Sequence, residues 1–196
     1  MLNIYTAQVP LLYEEKEVYP KERQEMIKST KNEAVRRERY FVWKLLEYAV
    51  KDSLDKSLEE IEPYMSESGK WLSDKCFFSL SHSDGAAAVA ISDAPVGVDI
   101  EAKREIDALL FSKRILTESE RATLQDSENV NDCVLLMWCK KESIYKMIGK
   151  PPFAPSKMET EDYPLVTRTE MIWDKEYFVS ACSDKKGDAH FFNITL

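Results

Sequence analysis

Glycine is scarce in this 196-residue chain, at 5. The few present form neither G-x-G-x-x-G nor a Walker-type loop, which excludes a backbone phosphate cradle of that kind. Histidine is scarcer, at 2, and the cysteines Cys76, Cys133, Cys139 and Cys182 make no C-x-x-C pair. His82 and His190 stand outside any zinc spacing, so zinc is not expected. Cysteines in apolar contexts read as buried thiols of a reducing compartment. Positive charge is in deficit, 27 Lys and Arg against 35 Asp and Glu. A net −8 leaves no global basic footprint, so no nucleic acid partner is expected. No apolar run approaches membrane-spanning length. Met1 to Tyr13 lacks the basic start and long apolar core of a secretory signal, so the expected compartment is the cytoplasm, with no membrane partner. What the chain does have is a hydrophobic content of 44%, ordinary for a globular protein. Its length suffices for one large domain or two small ones with a core.

Taken in order, Leu2 to Val9 alternates as a strand, ended by Pro10. Pro20 opens a helix through Ile27. Thr30 and Glu33 make a capping-box pattern that starts a long helix to about Val50, with Ala34, Phe41, Leu45, Tyr48 and Ala49 toward a core. At least two of Arg36, Arg37 and Arg39 read as a solvated basic face. A short helix within 52–68 leads to a turn at Gly69-Lys70, before Trp71. Phe77 to Ser83, Ala86 to Ser92 and Gly97 to Glu101 read as three short strands, and their tight turns favour antiparallel neighbours. Beyond Glu101 the period turns helical. Ile106, Leu109, Leu110 and Ile115 suit an amphipathic helix, and Thr117 with Glu120 caps a short one to about Gln125. The clearest helix runs from about Asp132 to Ile148, with Val134, Met137, Trp138, Tyr145 and Ile148 on or near one stripe, and Gly149 and Pro151-Pro152 stop it. Met171–Trp173, Tyr177–Cys182 and His190–Thr195 alternate as strands. Ala90-Ile91-Ser92-Asp93 is echoed 91 residues later by Ala181-Cys182-Ser183-Asp184, which fits two similar α/β halves.

Three segments carry chemistry. Gly97-Val98-Asp99-Ile100-Glu101 turns Asp99 and Glu101 to one face of a strand, where their repulsion calls for a positive partner such as a hard divalent cation. Trp138-Cys139-Lys140-Lys141-Glu142-Ser143-Ile144-Tyr145-Lys146 places Trp138, Glu142 and Lys146 on one helix row. Ser81-His82-Ser83 ends a strand. Alone, Glu142 and Lys146 would read as an exposed ion pair and His82 as a strand-end histidine. Together they describe a phosphate-bearing substrate and metal-assisted phosphoryl chemistry: a third carboxylate completes an oxygen triad suited to Mg²⁺, a lysine one turn away meets phosphate charge, and a histidine stands by.

G-V-D-I-E followed by W-x-x-K-E-S-x-x-K, and preceded by S-L-S-H-S, resembles the 4′-phosphopantetheinyl transferases of the monomeric, surfactin-synthetase-activating type. The resemblance implies transfer of the 4′-phosphopantetheine arm of coenzyme A to a serine of an acyl or peptidyl carrier protein, releasing 3′,5′-ADP. It implies an α/β (α+β) fold of two halves, 1–94 and 95–196, related by a pseudo-twofold, each a small, mainly antiparallel sheet with a long helix. Asp99, Glu101 and Glu142 match the family's Mg²⁺ ligands. Glu142 also matches the proposed general base, and Lys146 the lysine on the bridging phosphates. His82, with Ser81 beside it, matches a histidine on a coenzyme A phosphate, and Lys70 the lysine of a G-K-P turn. Arg37 is carried for the 3′-phosphate, from a register shared with Lys21, Arg23 and Lys28. The chain departs from the pattern at Trp71, where proline is usual, and at Asp84, where glycine is common. Lys103, Arg104, Lys113 and Arg114 are candidates for docking an acidic carrier. The competing functions are a metal-dependent phosphohydrolase and a non-catalytic coenzyme A or carrier-binding module.

Overall fold

The computed structural model describes residues 1–124, 127–185 and 187–196; the expected helix end at Gln125 lies outside them. The fold is mixed α/β. In chain order the elements are β1 (Leu2–Gln8), α1 (Lys21–Ser29), α2 (Glu33–Leu54), α3 (Leu58–Ile61), β2 (Tyr64–Met65), β3 (Trp71–Leu72), β4 (Phe77–Ser83), β5 (Ala86–Ser92), β6 (Val96–Ala102), α4 (Ala108–Ile115), α5 (Glu118–Thr123), α6 (Val130–Ile148), β7 (Leu165–Ile172), β8 (Lys175–Ser183) and β9 (Ala189–Ile194). The first sheet has the order β4-β5-β1-β9 and the second β6-β8-β7, while β2 and β3 form a small ribbon. All pairings are antiparallel except β1 with β9, which is parallel.

The run Ala86–Ser92 is buried throughout because it has helix on one side and sheet on the other. Ala87, Val89 and Ile91 join Tyr5 and the α2 residues Tyr40, Phe41, Trp43, Leu45, Leu46 and Ala49 in one core. Ala86, Ala88 and Ala90 face the other way and meet Val98, Ile100, Val179 and Ala181 of the second sheet. Small side chains here let the two sheets approach closely. The outer face of β6 receives α6. Gly97 makes that possible, since a Cβ built there would overlap the backbone Ser143 O and Met147 N. Glycine at this position is a packing requirement, not a turn.

Several expectations change. The Thr30–Glu33 box does not form: Asn32 caps α2 by accepting from Val35 N, and the Thr30 hydroxyl instead donates to Met26 O. Ala34 and Tyr48 are exposed, one in the first turn of α2 and the other on its outer side. Arg36, Arg37 and Arg39 are all half-buried, because the 13–30 segment folds over the start of α2. β6 does not extend the β4-β5 hairpin: after Pro95 the chain crosses to the second sheet and pairs with β8. Leu109 and Leu110 are exposed on α4, leaving Ile115 as its buried anchor. The packed face of α6 is Val134, Leu135, Cys139 and Ile144, while Ile148 is exposed. Cys139 and Cys182 are buried, but Cys76 and Cys133 are partly exposed. The Thr117–Glu120 box forms as expected. Among the described residues no helix is long and apolar enough to cross a membrane.

Candidate active site

The free edge of β6 faces β4, which contributes side chains instead of a ladder. Ser79, Ser81 and Ser83 alternate with Phe78 and Leu80, which pack toward α2. Their hydroxyls accept from Val98 N (3.0 Å), Ile100 N (3.4 Å) and Ala102 N (3.5 Å). These contacts satisfy N–H groups that a buried edge must otherwise leave unpaired.

α6 lies against the opposite face of β6 and lays its Trp138–Glu142–Lys146 row over the acids. Lys146 Nζ donates to Asp99 Oδ1 (2.7 Å) and to Ser81 Oγ (3.0 Å), and Ser81 Oγ donates to the same Asp99 oxygen (2.7 Å). Burial draws the Lys146 ammonium down, but the Asp99 carboxylate outweighs it and holds the pKa above the usual lysine value. Glu101 accepts from Trp138 Nε1 (3.0 Å) and Arg104 Nη1 (2.7 Å). Glu142 makes no hydrogen bond or ion pair among the described residues. Burial pushes its carboxyl up to about 7; Lys146 pulls it down, and the charges of Asp99 and Glu101 raise it further.

Beside this cluster opens a cleft of about 320 Å³ whose lining includes Arg23, Arg39, Lys70, His82 and Lys146, with no carboxylate among its described lining residues. Arg23 is 4% exposed, lies 4.6 Å from the Trp43 ring centroid and donates to Arg39 O. Burial, and then the neighbouring Arg39 charge, bring its guanidinium down to about 9. The arginine faces no carboxylate among the described residues. Lys70 reaches across the cleft floor, its Nζ donating to Lys146 O; burial and the Lys146 charge hold its pKa below the usual lysine value. His82 Nδ1 pairs with Glu38 Oε2 (2.9 Å), and Glu38 also accepts from Gly85 N (2.9 Å). A cleft with this charge is built for an anionic ligand.

The structure therefore brings together Ser81, Asp99, Glu101, Glu142 and Lys146, with Lys70 and His82 at the adjoining cleft. Arg37 is not among the cleft-lining residues. Lys21 pairs with Glu25 at the surface, and Lys28 is exposed. Of the four residues sharing that register, Arg23 lines the cleft. Sequence reasoning missed Arg39, read as part of a solvated face, and Glu38, whose pairing with His82 spans 44 positions. The alternation Ser79, Ser81, Ser83 was the available signal for a hydroxyl-lined seam. Lys141, adjacent to Glu142, is fully buried and pairs with Glu120 (2.6 Å), an arrangement no pattern announces. Among the described residues no three His, Cys, Asp or Glu side chains stand close enough together to hold a metal ion as they are placed. The donor chemistry is nonetheless that of a hard-cation site: three carboxylates face one region, and Asp99 Oδ2 is buried with no hydrogen-bond partner.

Residues 95–187 match the family model of the 4′-phosphopantetheinyl transferase superfamily. Through its C-terminal half the chain is thus similar to the members of that superfamily. The 4′-phosphopantetheinyl transferase psf-1 of Bacillus pumilus is 37% identical over 134 residues, which cover 60% of this chain and 57% of that protein. The 4′-phosphopantetheinyl transferase gsp of Aneurinibacillus migulanus is 38% identical over 80 residues, covering 40% of this chain and 33% of the relative. The 4′-phosphopantetheinyl transferase Sfp of Bacillus subtilis (strain 168) is 33% identical over 75 residues, 37% of this chain and 33% of that protein. The chain thus spans between a third and a little over half the length of these relatives. Within the superfamily match fall Asp99, Glu101, Glu142 and Lys146. Lys70, Ser81, His82, Arg23 and Arg39 lie before it.

Proposed function

We propose that this protein transfers the 4′-phosphopantetheine arm of coenzyme A to a serine of an apo carrier protein, with Mg²⁺, and releases 3′,5′-ADP. The observation that carries the reading is the junction of the carboxylate–lysine cluster with a cleft lined by cations. The nucleotide end of coenzyme A, with its 3′-phosphate, is the polyanion that suits Arg23, Arg39, Lys70 and His82, and the pyrophosphate then falls toward Lys146. Asp99, Glu101 and Glu142 are the residues that would hold Mg²⁺, which when bound neutralises charge on the pyrophosphate. Lys146 stabilises the negative charge that develops on the departing nucleotide. The acceptor serine oxygen bonds to the phosphorus carrying the pantetheine arm while the bond from that phosphorus to the bridging oxygen breaks. The serine proton needs a base; Glu142, which makes no hydrogen bond or ion pair among the described residues, is the carboxylate of the cluster placed to take it, directly or through a water.

The same reading treats 1–94 and 95–196 as two related halves. Support comes from equivalent strand orders, β4-β5-β1 and β7-β8-β6, each antiparallel with a long helix on its outer face. Ser92 and Ser183, the echoed serines, lie 3.3 Å apart, as residues near a pseudo-twofold axis would. β9 is the exception, a strand of the second half paired into the first sheet. The protein acts as a cytoplasmic monomer. Its carrier docks on α4, where Lys113 and Arg114 flank exposed Leu109 and Leu110. Arg104 is drawn instead to Glu101, and Lys103 to Asp132 and Glu176.

Intact-protein mass spectrometry tests the reading. Apo acyl carrier protein and an apo peptidyl carrier domain are each incubated with the protein, coenzyme A and Mg²⁺, with an EDTA control. A phosphopantetheine mass gain that EDTA abolishes is the expected outcome. Coenzyme A cleaved with no gain on either carrier would make the protein a phosphohydrolase, and no turnover would leave a binding module.

A further inference from the structure

Asp99 is 4% exposed, and a carboxylate so far removed from water needs a positive partner. That partner is Lys146, whose ammonium sits 2.7 Å from Oδ1. Ser81 fixes the pair from the side, donating to the carboxylate and accepting from the lysine. The two Asp99 oxygens are treated unequally. Oδ1 receives two donors, while Oδ2 receives none and is sealed from solvent. An incoming cation cannot use Asp99 as it stands: one oxygen is occupied and the other is covered. Glu101 is also held, by Trp138 and Arg104, and Glu142 stands without a partner among the described residues. This explains in one step why three carboxylates of the right chemistry are not gathered as metal ligands: an internal ammonium stands in for the cation.

We propose that Lys146 is the resident counter-ion of Asp99 in the ligand-free protein, and that a divalent cation exchanges with it, releasing the ammonium into the cleft that Lys146 already lines. The inference rests on reading Asp99, Glu101 and Glu142 as metal ligands. It gives Lys146 two stations, one on Asp99 and one on the substrate phosphate, and makes cation binding the event that moves it between them. It makes Ser81 a positioning residue for the first station. Cation and phosphate binding then reinforce each other, because each removes the lysine's reason to remain on Asp99.

The test uses Mn²⁺ alone, without coenzyme A, with free Mn²⁺ read by electron paramagnetic resonance. Lys146→Met should bind Mn²⁺ at least about tenfold more tightly than the wild-type protein, since the competing ammonium is gone. Ser81→Ala should fall between the two, and Asp99→Asn should abolish binding. Equal or weaker binding by Lys146→Met, with Asp99→Asn still abolishing it, overturns the exchange and leaves the metal ligands standing. Binding that Asp99→Asn leaves intact, or no binding by any form, overturns both readings. Should Lys146→Met fail to fold by circular dichroism, the wild-type protein still decides. Brief acetic anhydride labelling followed by peptide mass spectrometry, with exposed Lys113 as the internal standard, should show Lys146 acetylation rising several-fold when Mg²⁺ alone is added. Unchanged labelling at saturating Mg²⁺ counts against the exchange.

Discussion

β1 and β6 hold matching places in their sheets, yet their outer edges are closed in different ways. β1 is covered by β9, strand on strand, from Leu2 opposite Ala189 to Ala7 opposite Ile194. β6 is covered by three serine hydroxyls of β4. A full ladder consumes every group along an edge. Hydroxyls satisfy the N–H groups and leave room for side chains, and into that room come Asp99 and Lys146. The helices differ in the same sense. α2 buries an apolar face led by Trp43, Leu45 and Leu46, whereas α6 buries Lys141 and Ser143 beside Leu135 and Ile144. The candidate site sits where the fold gave up a continuous sheet and an all-apolar helix face.

The largest effect should come from breaking what is peculiar to α6. Lys141 Nζ is held by Glu120, Pro155 O (2.8 Å) and Met158 O, so Lys141→Met leaves the Glu120 carboxylate buried and unpaired. A loss of about 3–5 kcal/mol in urea unfolding is expected. The pH dependence adds a sign. Burial alone would raise Glu120, but Lys141 and the N–H groups of Thr117 and Thr160 outweigh it and hold the carboxyl below its ordinary value. Such a group contributes stability above its unfolded pKa, about 4.3, and loses it as pH falls through the lower folded value. The wild-type protein should lose this contribution on acidification below about pH 4, and Lys141→Met should show a shallower acid limb.

Next comes the contact that seats α6 on β6. Gly97→Ala drives a methyl into the α6 backbone and should cost about 1–3 kcal/mol. Gly187→Ala, with nothing within 4 Å, should stay within about 0.5 kcal/mol in the same unfolding measurement. An equal effect at both sites would mean that β6 and α6 are not in close packing. The smallest effect probes the hydroxyl-closed edge itself. Ser79→Ala leaves buried Val98 N–H without its acceptor and should cost about 1–2 kcal/mol, with faster amide exchange at Val98. Unchanged exchange would show that the serines do not close that edge.

Legibility in the sequence followed the range of the contacts. Asp99 and Glu101 alternate with Val98 and Ile100 within five residues, and Trp138, Glu142 and Lys146 repeat at one helical period, so local pattern placed both rows correctly. The Thr117–Glu120 box was readable for the same reason. The Thr30–Glu33 box was a false signal, because Asn32 offered a competing cap two residues on. What could not be read was set by distant parts of the chain. Arg39 looks solvated until the 13–30 segment covers it. β6 looks like the third strand of a meander until β8, some 80 residues away, claims its other edge. Gly97 reads only as the first residue of a strand, and the α6 backbone that requires a glycine there comes from 46 and more positions on.

The two ways of closing an edge also set an order of assembly. The β4 serines reach β6 across 19 positions, while Leu2 must find Ala189. Contacts so far apart in sequence form slowly, since loop closure must come before the pairing that rewards it. The serine-closed seam can therefore take shape while β1 still presents a bare strand edge to its surroundings. During that interval β1 is the part of the chain most exposed to pairing with a stranger. The hazard in making this protein thus lies at the β1 edge and not at the serine-closed seam.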